Sequence, residues 1–515
     1  MALAFSGVAG GAQITVGTGG QYQVIQDAID ASNSGDEIIV SPRIYAENIG
    51  FYGKNIILRS TNPDDWDVIA STTIDGSSNG AVVTFSGFET SACMLMGFNI
   101  QNGNVSGDGA GIRGNGTHAT IRRNVIEMNT ARGYDINDLR GGHGGGIFDC
   151  DGLVERNFII SNIAVTGGGL YGCDGNIQNN MIGSNEVYCV TDIYGNSVYG
   201  SGGGLDYCRG TIQNNTIVYN FAENTGGGLS LCSAIRNCIL WGNSPNQLQG
   251  TSATFCCVEG GATGAYNFSS DPMIDDAGCL LPNSPCIDAG SATSATNDLD
   301  GDPRGFDGTS ELRGDGSDYD VGADEYVIYQ NLSISVQGSG TTDPPAGDHN
   351  CVQGWPVTIT ANESGGWHFD HWTGDLTGSD NPATVTVDSD MSICAVFVKT
   401  THTLTISVEG NGSTVPPAGA NIYDEGAVVT VLAVNGSGSS FKYWQGAVTT
   451  IQNPVNITMD ANKYLTAVFE GGSNAGGDNA TGPSCSGGKG GGITYASCGL
   501  LFWAVGRRQR REGEK

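Results

Sequence analysis

Short apolar pairs and triplets, separated by polar and glycine turns, run through the first half of the chain, as in Ile177-Gln178-Asn179-Asn180-Met181-Ile182. No segment holds the 3.6-residue period of an amphipathic helix over a useful length. What recurs is a phrase: Gly144-Gly145-Gly146-Ile147, Gly167-Gly168-Gly169-Leu170, Gly202-Gly203-Gly204-Leu205 and Gly226-Gly227-Gly228-Leu229. A cysteine stands three residues past each Ile or Leu (Cys150, Cys173, Cys208, Cys232), and an asparagine eight to ten residues past it (Asn157, Asn180, Asn215, Asn237). The steps 147 to 170, 170 to 205 and 205 to 229 are 23, 35 and 24 residues, and Ile112 lies 35 before Ile147. The unit is therefore about 23 residues, and two steps carry insertions of about 12.

A repeat of this length built from short strands buries its apolar face only when neighbours stack on it. Three strands and three turns per unit predict an all-β fold, a parallel β-helix whose rungs lie about 4.8 Å apart. Equal positions then form ladders. A buried turn asparagine can bond to the rungs on either side and satisfy corner backbone groups, so Asn157, Asn180, Asn215 and Asn237 are expected to be structural, with Asn129, Asn162, Asn185 and Asn220 as a second column. The rung spacing also lies within disulfide reach. Cys150 with Cys173, and Cys208 with Cys232, either bond in pairs or stack as small hydrophobes.

Before the repeat, Tyr22 to Ala31 puts Val24, Ile25, Ala28 and Ile29 on one helical face. Short strands follow, split by Gly, Pro and Asn. The run Ile25-Gln26-Asp27-Ala28-Ile29-Asp30-Ala31, Gly35-Asp36-Glu37-Ile38-Ile39-Val40, Ile44-Tyr45-Ala46-Glu47-Asn48-Ile49 resembles the N-terminal end of pectin-lyase-like right-handed β-helix proteins. That resemblance covers roughly 13 to 245 and implies architecture rather than activity, because lyases, hydrolases, esterases, adhesins and tailspikes share the fold. Further on, Ser284-Pro285-Cys286-Ile287-Asp288-Ala289-Gly290, Asp298-Leu299-Asp300-Gly301-Asp302-Pro303-Arg304 and Asp320-Val321-Gly322-Ala323-Asp324-Glu325-Tyr326 resemble the closing region of bacterial choice-of-anchor surface β-helix proteins.

A second repeat begins at Leu332 with an offset of 72: Pro344-Pro345-Ala346-Gly347 matches Pro416-Pro417-Ala418-Gly419, Trp372 matches Trp444, and Ala395-Val396-Phe397 matches Ala467-Val468-Phe469. Alternation in Leu404-Thr405-Ile406-Ser407-Val408 marks two small β modules, which resemble divergent InlB-type B-repeats. Cys351 and Cys394 occur together in the first module, where the second has Tyr423 and Thr466, and their joint presence suggests a disulfide. A Gly/Ser/Asn linker, flexible by composition, leads to 13 mostly apolar residues and Arg507-Arg508-Gln509-Arg510-Arg511. This end resembles a GlyGly-CTERM-like sorting tag, with an amphiphilic tail as the alternative. The resulting division is 1–12, a truncated signal peptide or disordered tail; 13–258, β-helix; 259–329, acidic closing region; 330–399 and 400–470, B-repeat-like modules; 471–492, linker; 493–515, tag.

Charge changes the functional picture. A net charge of −31 argues against nucleic acid or an anionic membrane as partner, since either would repel this surface. Fifteen cysteines beside few lysines fit an oxidising compartment. No run reaches the ~18 to 20 apolar residues that span a bilayer, so no transmembrane helix is expected beyond the removable C-terminal segment. The expected location is secreted or on the outer surface of a bacterium, with sorting and anchoring machinery as a partner.

The two insertions, Thr130 to Gly142 and Val187 to Gly200, leave the repeat at the same phase and are expected to wall a groove beside the column Asp151, Asp174, Arg209. Tyr134 and Tyr194 are ligand-binding candidates with that column. A lyase needs a group that neutralises a uronate and a base, and a hydrolase needs paired carboxylates. Asp135, Asp138, Arg140, His143 and Asp192 are the catalytic candidates, with solvated loop residues as the alternative. Asp298, Asp300 and Asp302 resemble part of a calcium loop, without the closing Glu, so Ca2+ is a candidate ion and a solvated acidic cap the alternative. The leading expectation is a protein that binds polysaccharide or a cell-surface glycan; the other is a polysaccharide lyase or glycoside hydrolase acting on uronate-containing polymers.

Overall fold

The computed structural model describes residues 11–133, 141–191, 197–309, 311 and 313–471. Its first half is a right-handed parallel β-helix whose strands stack in sheets of ten, nine and eight, running from Gln13–Val16, Arg43–Ala46 and Ile49–Gly50 to Ala253–Thr254, Cys257–Val258 and Leu248–Gln249. The expected three strands per unit are joined by a fourth. Asn104–Ser106, Thr130–Arg132, Ile163–Ala164, Glu186–Val187 and Phe221–Ala222 build a five-stranded sheet. One coil thus passes through Ile147–Cys150, Val154–Glu155, Phe158–Ile160 and Ile163–Ala164 before returning at Leu170–Tyr171.

Registers turn the sequence repeat into ladders. Ile147 pairs with Leu170, Leu170 with Leu205 and Leu205 with Leu229, all fully buried in one apolar column. The triple glycines have a packing reason: a Cβ on Gly169 would stand 2.5 Å from the carbonyl oxygen of Gly204 and 3.1 Å from Nδ2 of Asn185. At the N-terminal end the helix Ile25–Ala31 buries Ile25, Ala28 and Ile29 against the first coil. Glu47 receives the backbone N–H groups of Ile25 (2.9 Å) and Gln26 (3.0 Å), setting an anionic group at the helix start.

Both asparagine columns are continuous hydrogen-bond chains. Asn180 donates Nδ2 to Asn215 Oδ1 (3.0 Å) and to the carbonyls of Val154 and Gln178 (both 2.9 Å), and its Oδ1 accepts from Asn157. Asn124 extends this column at one end, and the second runs Asn129, Asn162, Asn185, Asn220, Asn243. Asn237 is a correction. Thr216 pairs with Ile239, so Cys238, not Asn237, follows Asn215, and its N–H points to Cys256 Sγ (3.3 Å). The corner from Cys232 to Ile235 is one residue shorter than that from Cys208 to Ile212, which shifts the phase.

Asn237 belongs instead to a column of left-handed residues, Arg123, Arg156, Asn179, Asn214 and Asn237, with φ between 51° and 56°. Each reaches outward to the closing segment. Asn237 meets Ser291, Asn214 Oδ1 accepts from Thr293 Oγ1 (3.1 Å), and Asn179 donates to the Asn297 carbonyl (2.7 Å). Arg156 and Arg123 both donate to the carbonyl of Leu299 (3.2 and 3.0 Å). Residues 291–299 are therefore a strap laid back along the β-helix. Arg304 fixes it from beneath through Glu325 (3.1 Å) and Asn179 Oδ1 (2.8 Å), with both charges fully buried. Leu280, Ile287, Leu299 and Val321 pack with Met181, Val218 and Ile239, covering the outer face of the nine-stranded sheet.

Cys150, Cys173, Cys208 and Cys232 stack in the core as free thiols, followed on the next rung by Thr251. The structure thus takes the unbonded alternative. It contradicts the disulfide in the first module. Cys351 lies opposite Gln330 and Cys394 opposite Ser335, on the two strands flanking Tyr329–Gln337, and both are free. Five residues along a strand is about 16 Å, beyond the ~7 Å Cα limit of a disulfide.

By compactness the chain divides into Met1–Glu363 with Phe369–Phe397, and Ser364–His368 with Val398–Lys515. In the first unit, Trp372 packs on Phe369, which also meets Phe397; in the second, Trp444, Phe441 and Phe469 repeat this arrangement.

Candidate functional site

The closing region covers the nine-stranded sheet, whereas the eight-stranded sheet carries an aromatic row on its outside. In each strand the residue after the buried anchor turns outward, giving Phe148, Tyr171, Asp206 and Ser230 on successive rungs. Phe148 and Tyr171 stack at 5.9 Å and 12°, and Tyr171 stacks on Tyr207 at 6.2 Å and 9°. His143, at the sheet edge, lies 4.4 Å from the Tyr171 ring, while the Arg209 guanidinium lies 4.1 Å over Tyr207. Parallel rings repeating along a β-helix face form an apolar track with polar margins, the composition of sites that orient an extended ligand.

Titratable groups line this track. His143 Nδ1 is 3.7 Å from Asp108 Oδ1, and burial, opposed by Asp108, lowers its pKa below the usual 6.5. Asp206 is 4% exposed. Burial pushes its carboxyl up to about 6 against a hydrogen bond from Ser201 (3.1 Å), and Oδ1 has no partner. Asp149 is likewise raised, by burial and then by the charges of Asp151 and Asp174. A carboxyl near pKa 6 can hold or release a proton in mildly acidic water.

The column Asp151, Asp174, Arg209 is assembled as its spacing predicts. Asp151 Oδ1 accepts the Asp174 N–H (3.0 Å), and Asp174 Oδ1 accepts the Arg209 N–H (2.8 Å). One oxygen of each acid is thereby tied to the scaffold. Among the catalytic candidates only His143 is described; Asp135, Asp138, Arg140 and Asp192, with the ligand candidates Tyr134 and Tyr194, lie outside the described residues. The bases of the two insertions both abut Val165. Cβ atoms built on Gly142 and Gly200 would strike Val165 from its two sides, at 2.5 Å from Cγ2 and 2.1 Å from the carbonyl oxygen. Both insertions thus leave from the His143 edge of the aromatic row. Sequence reasoning missed Phe148, Tyr171, Tyr207, Asp149 and Asp206; their signal was the two phases after each Ile or Leu anchor, with Phe148, Tyr171 and Asp206 at the first and Asp149 and Tyr207 at the second.

The three aspartates of the suggested calcium loop each accept hydrogen bonds from the protein. Asp298 uses Oδ1 for the N–H groups of Gly301 and Asp302 (both 2.7 Å) and Oδ2 for that of Glu325 (2.9 Å). Asp300 accepts from Trp66 Nε1 (2.9 Å), and Asp302 binds the Tyr329 hydroxyl. Among the described residues, Cys279, Asp300 and Asp324 instead bring ligand atoms within 4.8 Å of one another. A thiol in the set does not suit calcium, which takes oxygen ligands.

Among the described residues no helix is long and apolar enough to cross a membrane. No curated protein sequence matches the chain. Solved structures similar to it include the pectin methylesterase PemA from Erwinia chrysanthemi, at 10% identity and a TM-score of 0.27, covering 50% of this chain and 80% of that one. A pectin methylesterase variant in complex with a hexasaccharide gives 12%, 0.23, 51% and 82%, and pectate lyase Pel9A gives 14%, 0.27, 61% and 97%. Residues 330–401 and 402–473 each match the model of the Divergent InlB B-repeat domain, so the β-helix precedes two InlB-like B-repeats.

Proposed function

We propose that the chain is a secreted or surface-displayed bacterial protein that binds polysaccharide along the outer face of its eight-stranded sheet, with the B-repeats as spacers and residues 493–515 as the tag read by sorting machinery. The observation that carries this reading is the stacked series His143, Phe148, Tyr171 and Tyr207, on a face left open by the closing region that covers the nine-stranded sheet. Sugar rings present flat C–H faces to such a row, while Arg209, Asp174 and His143 offer polar partners at its margin. The test is a polysaccharide panel: retention of the full chain, reduced at least tenfold by Tyr171→Ala with an unchanged melting temperature, supports it.

A second reading is hydrolysis on the same face, favoured by the raised carboxyl of Asp206. Release of reducing ends that disappears in Asp206→Asn would establish it; binding without release leaves the first reading in place.

A further inference from the structure

The aromatic row contains a gap, and its lining restricts what can bind. Registers place Asp149, Gly172, Tyr207 and Leu231 at one position on successive rungs, all with left-handed backbone (φ 54°, 63°, 59° and 49°). A Cβ built on Gly172 would meet nothing within 4 Å. The side chains above and below this open floor, Tyr207 and Asp149, start two rungs apart, about 9.6 Å at the usual strand spacing. Tyr171 borders the gap on one side and Asp174 on the other. It is a notch one residue deep, wide enough for a sugar ring.

Its electrostatics are one-sided. Asp108, Asp149, Asp151, Asp174 and Asp206 stand along the row, against Arg113 and Arg209. Arg113 turns its guanidinium onto the Asp108 carbonyl (2.8 and 2.6 Å), and that of Arg209 lies over the Tyr207 ring. Among the described residues no ion pair ties down Asp149, Asp151, Asp174 or Asp206: Asp149 is held up by burial and its acidic neighbours, and Asp206, more than nine-tenths buried beside Tyr207 on the row, keeps an oxygen without a partner. Asp149, Asp151 and Asp174 are also not among the described groups whose ligand atoms converge within 4.8 Å. They are spread too widely for a bare metal ion.

We infer that this notch takes an amine-bearing sugar of a polysaccharide, with the protonated amine set among Asp149, Asp151 and Asp174 and the ring against Tyr207 and Tyr171. The inference rests on the glycan-binding reading and deepens it. An ammonium gains from several dispersed carboxylates and from a tyrosine face. A polyuronate would place its own carboxylates against five acids on a chain of net charge −31.

Titration calorimetry of the full chain in EDTA, at pH 6, tests this with three probes: glucosamine hexamers, their N-acetylated counterparts and galacturonate hexamers. Glucosamine hexamers should bind at least tenfold tighter than the other two. Asp149→Asn should remove that preference, whereas Asp276→Asn, an equal loss of charge at an exposed position in the closing region, should not. Gly172→Asn, which an asparagine tolerates in the left-handed region, should fill the notch and weaken binding while the melting temperature stays unchanged. Equal affinity for aminated and acetylated hexamers, tighter binding of galacturonate, or equal effects of Asp149→Asn and Asp276→Asn would overturn the amine assignment and leave glycan binding standing. No binding of any hexamer or of any polysaccharide would overturn both.

Discussion

Asn237 donates Nδ2 to the carbonyl of Ser291 at 2.7 Å and receives the Ser291 N–H on Oδ1 at 3.1 Å, a reciprocal pair buried between the β-helix and the strap. It is the C-terminal member of a series in which each rung offers one left-handed residue to the strap, the last two, Arg156 and Arg123, sharing the carbonyl of Leu299. The strap therefore follows the rungs in reverse order, from Ser291 on Asn237 to Leu299 on Arg123.

Asn237→Ala should leave the N–H and carbonyl of Ser291 buried without partners and place alanine, which tolerates the left-handed region less well than asparagine, at φ 51°. The expected loss is about 3 kcal/mol of unfolding free energy. Limited proteolysis should then cut within 284–305 before the coils unfold. A variant as resistant as the parent would show that the strap does not depend on this pair.

Asn180→Ala should cost more, about 4 kcal/mol, because it interrupts the inner column on both sides at once. Chemical denaturation of both variants gives the order directly. A smaller effect at Asn180 than at Asn237 would contradict the column as a principal support.

These two asparagines also mark what could be read in the sequence. The glycine phrase, the 23-residue unit and two asparagine columns were legible because each coil repeats the same buried contacts at the same pitch. Asn237 was misplaced because the corner before it is one residue short, and a nearby asparagine concealed the slip; counting 23 residues on from Asn215 gives Cys238. The fourth sheet escaped notice because its strands are as short as Ile163–Ala164. The aromatic row was hidden differently: Phe148 and Tyr171 stand one residue past their anchors, whereas Tyr207 stands two past its own and beyond the insertion from Val187 to Gly200, so no single phase of the repeat contains all three.

Asp206 has a native pKa of about 6 against about 3.9 when unfolded, so between these values the folded chain holds the proton more tightly. Its contribution to stability therefore falls as pH rises from about 4 to about 6 and stays low above. Asp206→Asn should be more stable than the parent at pH 7.5 by about 2 kcal/mol, with the difference vanishing near pH 4. A variant less stable than the parent at pH 7.5 would refute the unfavourable buried charge.

Cys351 and Cys394 should both alkylate under non-reducing conditions once the chain is unfolded, since strand register holds them apart. The double serine variant should melt within about 2 °C of the parent, as expected for substitutions away from a core or a crosslink. A mass two hydrogens lower for the peptide pair would restore the disulfide.

The most direct measurement is the affinity of the full chain for a retained polysaccharide, compared with Tyr207→Ala at equal thermal stability. Loss of a stacking face worth about 1.4 kcal/mol should weaken binding about tenfold. Undiminished binding by Tyr207→Ala, with the melting temperature unchanged, would contradict the placing of the glycan on the eight-stranded sheet.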